Sequence, residues 1–250
     1  MRTIFVGLFF IPFLILGLPF LGIEWVIAKF NRPHADMQRL RMVQWGFRCI
    51  SAIAGVKLTV KNEEYVPRDR PVLYIGNHRS YFDIIITYTR CPGLTGYISK
   101  SGIKKVPILS IWMKRLYCLF IDRDNPKEGI KVILTAIQHI RDGISICVFP
   151  EGTRNTDYDN PASLLPFKEG SFKIAEKTGC PIVPMVLTGT ADLFEKDFPW
   201  MHRSKVTLTY GKPIEVGSLS PENQKHLGAY CQNVIQEMLN EEIRLQQTCE

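Results

Sequence analysis

Residues 72–83 read VLYIGNHRSYFD, an apolar run over 72–75 that polar side chains follow directly. A second stretch repeats this arrangement, with an apolar run over 144–149 that leads into Pro150, Glu151, Gly152, Thr153 and Arg154. Apolar, β-branched runs of this length predict buried strands. Because α/β sheets bind their ligands at the carboxyl ends of strands, we expect the two polar stretches to line one cleft.

Apolar runs and amphipathic stretches alternate from residue 55 onward. The apolar runs predict strands over residues 56–60, 72–75, 96–99, 117–121, 144–149, 182–187 and 205–210. The amphipathic stretches predict helices over residues 82–89, 103–115, 126–141, 168–177 and 221–244. This alternation is typical of an α/β fold, so we expect a mixed, mostly parallel sheet flanked by helices.

The N-terminal segment differs from the rest of the chain. Residues 3–23 carry no charged side chain and could span a bilayer as a helix of about 30 Å, although Pro12 and Pro19 also suit a segment that only embeds. Residues 36–54 predict a second helix, which either packs on the domain or lies among lipid headgroups. We therefore expect a two-helix membrane element at residues 1–54 and an α/β domain at residues 55–250.

Charge and composition restrict the partners of this chain. The 250 residues are 46% apolar and 22% charged, which is enough for a core, and the formal net charge is +7. A basic chain without long Lys/Arg runs favours phosphorylated metabolites or an acidic membrane surface over nucleic acid. Basic residues follow the apolar segment, which predicts a location on the cytoplasmic face of a membrane, the inner membrane if the source is bacterial.

The cysteines predict neither a disulfide framework nor a metal site. Seven are scattered along the chain, and none forms a C-x-x-C pair. An odd, dispersed set is typical of reduced thiols in a cytosolic compartment.

His78 and Asp83 are candidates for acid–base chemistry. A carboxylate that accepts a hydrogen bond from one ring nitrogen of histidine sets its tautomer, and the other nitrogen can then take a proton from a hydroxyl. Ser80 and Asp83 also have the spacing of a capping box, which would give the carboxylate a purely structural role. Both interpretations stay open from the sequence alone.

Basic residues near the expected cleft are candidates for binding an anion. Arg154 could fork onto a phosphate, and Glu151 could accept a hydrogen bond from a substrate hydroxyl. Arg123 follows the strand predicted at 117–121, and Lys100 follows the strand at 96–99. The polar loop at 155–166 is interpreted as a mobile lid. Each of these features could instead be an ordinary solvated surface.

Four blocks of the chain together resemble those of a known family. They are His78-x4-Asp83, Ile121-x-Arg123, the stretch FPEGTR at 149–154, and Cys180-Pro181-Ile182-Val183-Pro184. In this order they are similar to the blocks of the glycerolipid acyltransferases, most of all to those of the 1-acyl-sn-glycerol-3-phosphate acyltransferases. The resemblance covers about residues 55–213, together with the N-terminal two-helix element.

The resemblance implies a reaction. His78 would act as general base with Asp83 as its partner, and the 2-hydroxyl of lysophosphatidic acid would attack an acyl thioester to give phosphatidic acid. Acyl-CoA or acyl-carrier protein would be the co-substrate, and neither a metal nor a bound cofactor would be needed. Partners would be the membrane surface, its lysophosphatidic acid and the acyl donor.

The resemblance also implies binding roles. Arg123 and Arg154 would hold the acceptor phosphate, with Lys100 as a helper. Glu151 would contact the glycerol, and the two residues that follow it would shape the turn. Residues 181–184 would line the acyl-chain channel or support the site. Ser101 and Gly102 depart from the family pattern, in which charged residues often follow the lysine.

Two other functions remain compatible with the sequence. The acceptor could be another lysolipid, such as a larger lysophospholipid or lyso-ornithine lipid, or glycerol-3-phosphate. The chain could also be a non-catalytic membrane-binding module in which His78 and Asp83 only cap a helix. An α/β hydrolase is disfavoured because the chain has no G-x-S-x-G elbow.

Overall fold

The computed structural model describes residues 1–122 and 125–248, and it confirms the α/β architecture. Within these residues the strands are β1 (Val56–Lys61), β2 (Leu73–Gly76), β3 (Thr95–Lys100), β4 (Leu119–Ile121), β5 (Ser145–Val148), β6 (Ile182–Thr188) and β7 (Ser204–Tyr210). They form one sheet in the order β1-β7-β6-β2-β5-β3-β4. Of the paired strands, only β6 and β7 run antiparallel within this described sheet, so it is mixed and mostly parallel, as expected.

The sheet brings the ends of four strands together. β2, β5, β3 and β4 are consecutive neighbours and all run in the same direction. Their carboxyl ends, at Gly76, Val148, Lys100 and Ile121, therefore lie along one edge, which we call the upper edge. The polar stretches that follow β2 and β5 meet there, because paired strands lie only about 4.8 Å apart.

Helices cover both faces of the sheet. They are α1 (Arg2–Ile27), α2 (Arg32–Ala54), α3 (Tyr81–Tyr88), α4 (Pro107–Arg115), α5 (Pro126–Arg141), α6 (Lys173–Thr178), α7 (Pro221–Lys225) and α8 (Leu227–Thr248). Side chains alternate along β2, so Tyr74 joins the core beneath α1–α4, whereas Leu73 and Ile75 join the core beneath α5, α6 and α8. Strands buried on both faces explain the continuous apolar runs in the sequence.

The second predicted helix is present and buries one apolar face. Leu40, Val43, Ile50 and Ala54 are buried. The helix begins at Arg32 rather than at residue 36, because the Asn31 side chain accepts a hydrogen bond from the His34 backbone N–H and caps the first turn. The connection between α1 and α2 therefore ends earlier than the sequence predicts.

α1 and α2 pack closely against each other. Gly46 of α2 lies under the ring of Phe13, where a β-carbon would come within 2.5 Å of Phe13 Cζ. The same ring stacks on Trp112 of α4 at 5.6 Å, and the indole N–H donates to the carbonyl oxygen of Leu14. These contacts join the first helix to the α/β body.

α1 is long and apolar enough to cross a membrane. It has 26 residues, a mean hydropathy of 2.6 in its most apolar window, and only 17% of that window is buried. It continues as one helix through Pro12 and Pro19. Its outer face exposes large apolar side chains at Ile4, Phe5, Leu8, Ile11, Ile15, Leu16 and Ile23. This apolar surface suggests membrane association.

Three predicted helices differ from the sequence-based expectation at their ends. The helix expected over 103–115 is a 3-10 turn at Ser101–Lys105 followed by α4, because Pro107 holds Val106 in an extended conformation and starts a new helix. The helix expected over 168–177 also opens with a 3-10 turn before α6. The last predicted helix is divided at His226 into α7 and α8.

Candidate active site

His78 and Asp83 form a hydrogen-bonded pair above β2. His78 Nδ1 lies 2.8 Å from Asp83 Oδ2, and the imidazole is 15% exposed whereas the carboxylate is 1% exposed. A buried acceptor at Nδ1 favours the tautomer that carries its proton there, which leaves Nε2 as the acceptor nitrogen. The pair can therefore take a proton from a hydroxyl that reaches the upper edge.

The capping box predicted at Ser80 and Asp83 is present as well. Ser80 Oγ accepts the Phe82 backbone N–H at 2.9 Å, and Asp83 Oδ2 accepts the backbone N–H groups of Ser80 and Arg79 at 2.8 and 2.7 Å. The structural and the chemical interpretation of Asp83 thus hold together. One oxygen fastens the start of α3 and orients the imidazole, so the histidine is held by a rigid helix end.

Two further residues hold His78 in place. Asn77 spans from β2 to β6, where its side chain donates to the Leu187 carbonyl oxygen and accepts the Leu187 N–H, both at 2.9 Å. Phe149 stacks its ring on the imidazole, with centroids 4.4 Å apart and planes 17° apart. Both contacts restrict the histidine to a narrow range of positions.

Glu151 fastens the turn after β5 to the turn after β2. Its Oε1 accepts the backbone N–H of His78 at 2.7 Å, and its Oε2 accepts the backbone N–H of Leu165 at 2.8 Å. The side chain is buried, and burial raises its pKa above the ordinary value, while the two backbone donors oppose that rise. The expected contact of Glu151 with a glycerol group stays a prediction, and the geometry gives this carboxylate an internal positioning task.

The turn that carries Glu151 requires a glycine at its next position. Gly152 has φ +78°, and a β-carbon there would meet Lys168 Cε at 2.9 Å. Its N–H donates to the Phe149 carbonyl oxygen at 3.0 Å, which closes the turn. Thr153 follows on the exposed surface of the same turn.

Arg154 lies across the start of α3, close to the pair. Its guanidinium sits 4.0 Å above the ring of Tyr81, and Nη1 lies 3.2 Å from Glu195 Oε1. The same Glu195 oxygen accepts the Tyr81 backbone N–H at 2.8 Å. Burial is the main cause that raises the pKa of Glu195, and Arg154 opposes it. Arg154 is one-third exposed, so its free face can meet an anion.

Arg79 organises the loop expected to be a lid. Its guanidinium donates to the carbonyl oxygens of Asp157, Asn160 and Ser163 at 2.7, 2.9 and 2.8 Å. The backbone N–H of Asn155 donates a hydrogen bond to the His78 carbonyl oxygen at 2.8 Å. The loop at 155–166 is therefore tied to the histidine stretch by charge-assisted hydrogen bonds.

The remaining predicted residues are not brought to the histidine by the described structure. Lys100 ends β3, is exposed, and is separated from β2 by β5. Arg123 lies outside the described residues. Residues 181–184 do not line the cleft directly but run into β6, where Pro184 pairs with Ile75 and supports β2.

An apolar groove begins beside the pair. Its volume is about 490 Å³, and Phe149, whose ring stacks on His78, belongs to its lining. Isoleucines from β3, β4 and α5 form its floor and wall: Ile98, Ile121, Ile130, Ile133 and Ile137. Three lysines also belong to its lining: Lys168, Lys173 and Lys177. The groove can take a long apolar chain whose polar end points toward basic residues.

Sequence reasoning gave no role to several of these residues. Asn77 and Arg79 stand inside the quoted histidine stretch, and the polar character of that stretch was their only signal. Glu195 lies far from both clusters in the sequence and reaches the site through the loop after β6. No local pattern marks it.

Comparisons with known proteins agree with this geometry. The family model described as "Acyltransferase" matches residues 57–188. The 1-acyl-sn-glycerol-3-phosphate acyltransferase of Borreliella burgdorferi is 32% identical over 177 residues, which cover 70% of this chain and 68% of that protein. The Haemophilus influenzae protein with the same description is 27% identical over 226 residues, which cover 88% of each chain.

A solved structure shares the fold over nearly the whole chain. The 1-acyl-sn-glycerophosphate acyltransferase PlsC of Thermotoga maritima superimposes with a TM-score of 0.75, covering 96% of this chain and 98% of the other. At 24% identity this likeness establishes the fold. The family match spans more than half of the 250 residues, and the Borreliella relative is covered over two thirds of its length, which confirms the resemblance seen in the four blocks. This chain belongs to the acyltransferase family.

Proposed function

We propose that this chain transfers a fatty acyl group from a thioester to the 2-hydroxyl of lysophosphatidic acid, giving phosphatidic acid and a free thiol. The observation that carries the proposal is the 2.8 Å contact between His78 Nδ1 and Asp83 Oδ2 at the upper edge of the sheet. The relatives from Borreliella burgdorferi and Haemophilus influenzae, both 1-acyl-sn-glycerol-3-phosphate acyltransferases, support the choice of acceptor.

The reaction follows from the held imidazole. Nε2 of His78 takes the proton of the 2-hydroxyl as its oxygen attacks the thioester carbonyl carbon, and Asp83 stabilises the imidazolium that forms. The tetrahedral intermediate then collapses, the carbon–sulfur bond breaks, and the imidazolium returns the proton to the departing sulfur. The substrate oxygen is itself the nucleophile, so no acyl-enzyme is formed.

Arg154 holds the acceptor phosphate in this proposal. Its guanidinium is oriented by Tyr81 and Glu195 at the start of α3, which begins three residues after His78 in the chain. A planar guanidinium suits the bidentate recognition of a phosphate. Arg123 and Lys100 act as further cations for the phosphate, and Lys100 does so from the end of β3.

The groove beside Phe149 takes the acyl chain of the donor. Phe149 belongs both to the groove and to the stack on His78, so a chain bound there brings its carbonyl carbon toward Nε2. The three lysines of the groove suit the phosphates of acyl-CoA and the acidic surface of an acyl-carrier protein alike. The donor serves as co-substrate, and the mechanism uses no bound cofactor.

The acceptor is a membrane lipid, so the enzyme works at a membrane surface. The apolar outer face of α1 and the exposed Trp45 on α2 support that location. Arg41 and Arg48 flank Trp45 on the exposed side of α2 and suit lipid phosphates. The basic residues that follow α1 support a placement on the cytoplasmic face, which is the inner membrane in a bacterium.

The proposal is tested by acceptor-dependent thiol release. The purified chain in detergent is given palmitoyl-CoA with and without lysophosphatidic acid, and the same assay is run on His78→Ala. We expect release only with the acceptor, and a fall of about a hundredfold or more in the variant. His226→Ala, an exposed histidine, is the matched control and should keep full activity.

The other functions give different results in the same assay. Stronger release with lysophosphatidylcholine, lyso-ornithine lipid or glycerol-3-phosphate would assign another acceptor. Absence of release with acyl-CoA and acyl-carrier-protein donors and all these acceptors, from a folded chain that still binds vesicles, would leave the non-catalytic membrane module.

A further inference from the structure

A basic cavity lies at the elbow between α1 and α2. Its volume is about 270 Å³, close to the lower size of small-molecule pockets, about 300 Å³. Five cationic side chains line it, and they come from α2, α4 and the α1–α2 connection: Lys29, Arg32, Arg39, Lys114 and Arg115. The lining also contains Trp25 and Tyr117.

The cavity is separate from the candidate active site. Arg115 ends α4, and Tyr117 stands just before β4. Since β4 runs in the same direction as β2, the start of β4 lies at the lower edge of the sheet, whereas His78 follows the end of β2 at the upper edge. An anion bound here is therefore not the reacting acceptor.

The cations of the cavity exceed the carboxylates near them. Asp36 is the one lining carboxylate among the described residues, and it already accepts from Arg39 Nη1 and from the Tyr117 hydroxyl. Glu24 is buried next to Arg39, to which it supplies its backbone carbonyl oxygen at 3.0 Å. Counting both carboxylates against the five cations still leaves a surplus of positive charge, which favours an anionic ligand.

Arg39 brings a buried guanidinium into the wall of the cavity. Arg39 is only 4% exposed and lines the cavity. Its Nε is buried and has no hydrogen-bond partner among the described residues. A buried donor without a partner is unfavourable. An anion in the cavity would lie beside this incompletely compensated guanidinium and would be surrounded by the other cations.

The position of the cavity on α1 indicates where the anion comes from. The cavity adjoins the carboxyl end of α1, where Trp25 is 47% exposed and Lys29 Nζ lies 4.0 Å from its ring. Tryptophan and lysine at the end of an apolar helix are typical of the membrane–water interface. Whether α1 crosses the bilayer or lies along it, this end reaches a headgroup layer, because the polar elbow cannot enter hydrocarbon.

We propose that this elbow cavity binds the headgroup phosphate of an anionic phospholipid. The bound lipid holds the α1–α2 elbow at the membrane surface while the upper edge of the sheet carries out the reaction. The inference rests on the proposed membrane association of α1 and is independent of the proposed chemistry of His78. Basic pockets beside membrane helices bind anionic headgroups in this way.

Vesicle binding by the full chain tests the proposal. Partition is measured onto phosphatidylcholine vesicles and onto phosphatidylcholine vesicles doped with phosphatidylglycerol, for the wild type and for Lys114→Gln/Arg115→Gln. We expect this pair to lose about tenfold in partition onto doped vesicles, and to bind undoped vesicles like the wild type. Its thiol-release activity on detergent-dispersed substrates should be unchanged.

Lys57→Gln/Arg68→Gln is the matched control. It removes one lysine and one arginine as well, both exposed, and Lys57 lies on β1 at the opposite side of the sheet from β4. We expect this control to change partition onto the doped vesicles by less than twofold. Equal losses of partition in both pairs would mean that general charge alone attracts the lipid. Unchanged partition of Lys114→Gln/Arg115→Gln would mean that the cavity binds no headgroup. Either result overturns the proposal.

Two further results would also overturn it. If inorganic phosphate at constant ionic strength abolished the preference for doped vesicles, the cavity would be a site for a soluble phosphate. If the wild type bound no vesicles yet released thiol in detergent, the membrane placement of α1 would be wrong while the acyltransferase proposal would stand.

Discussion

The carboxylate of Glu151 accepts the backbone N–H of His78 at 2.7 Å, so the turn after β5 holds the turn after β2. Its other oxygen accepts the backbone N–H of Leu165, near the end of the loop at 155–166. Arg79 donates to a carbonyl oxygen of the same loop. The two sequence clusters are therefore joined by a hydrogen bond. A change in the second cluster is transmitted to the imidazole through the backbone of the first.

Glu151→Gln should disturb the position of His78. An amide can accept only one of the two backbone donors with its oxygen, and its NH₂ group then faces the other donor. We expect a loss of about 1–3 kcal/mol in the free energy of unfolding and a fall in kcat of about a hundredfold. Steady-state kinetics should show a nearly unchanged KM for the acceptor, because the residue acts through His78. A rise in that KM with kcat preserved would instead assign Glu151 to the glycerol, and Glu222→Gln on the exposed surface serves as control.

Arg154→Ala should weaken binding of the acceptor far more than that of the donor. Hydrogen bonds between charged groups contribute about 1.5–3 kcal/mol, so the KM for lysophosphatidic acid should rise about ten- to hundredfold. The KM for palmitoyl-CoA should change little. Equal effects on both substrates would contradict the phosphate-binding role. Arg68→Ala, which removes an exposed arginine, should leave both constants as they are.

Arg79→Lys should loosen the loop at 155–166. A planar guanidinium reaches three carbonyl oxygens at once, whereas an ammonium group cannot reproduce that fork. We expect amides of this loop to exchange with deuterium about tenfold faster, and limited proteolysis to cut there first. Arg68→Lys should leave the exchange pattern unchanged. Unaltered protection of the loop in Arg79→Lys would show that Asn155 and the Glu151 contact suffice to hold it.

Glu195→Gln should change how stability depends on pH. Burial raises the pKa of Glu195 above its ordinary value of 4.5, so the folded chain binds this proton more readily than the unfolded chain does. As the pH falls from 7 through the raised value toward 4.5, the wild type should therefore gain stability relative to the variant. Tm values of both proteins at several pH values measure this difference. If the wild type instead lost stability relative to the variant on acidification, the Arg154 ion pair would outweigh burial in setting the pKa of Glu195. Glu222→Gln, at an exposed position, is the control.

Local patterns in the sequence predicted most of the helices and strands and the sheet edge where the chemistry lies. Continuous apolar runs identified the central strands because strands such as β2 and β6 are buried on both faces. The position of the polar stretches after β2 and β5 followed from parallel strand direction. His78, Asp83 and the capping box were also readable, because hydrogen bonds over three to five residues depend on local spacing. The four blocks in order indicated the family, which the relatives confirm.

The contacts that hold His78 and Arg154 in place became visible only when separate elements were seen packed together. The strand order places Glu151 beside His78, and the loop after β6 brings Glu195 to Arg154, although no local pattern links these residues. Helix ends moved where proline or a capping asparagine acted, as at Pro107 and Asn31. The elbow cavity likewise exists only because α4 ends against the start of α2. Long-range contacts of this kind depend on how separate elements pack, and a single sequence records the residues of such contacts but not their pairing.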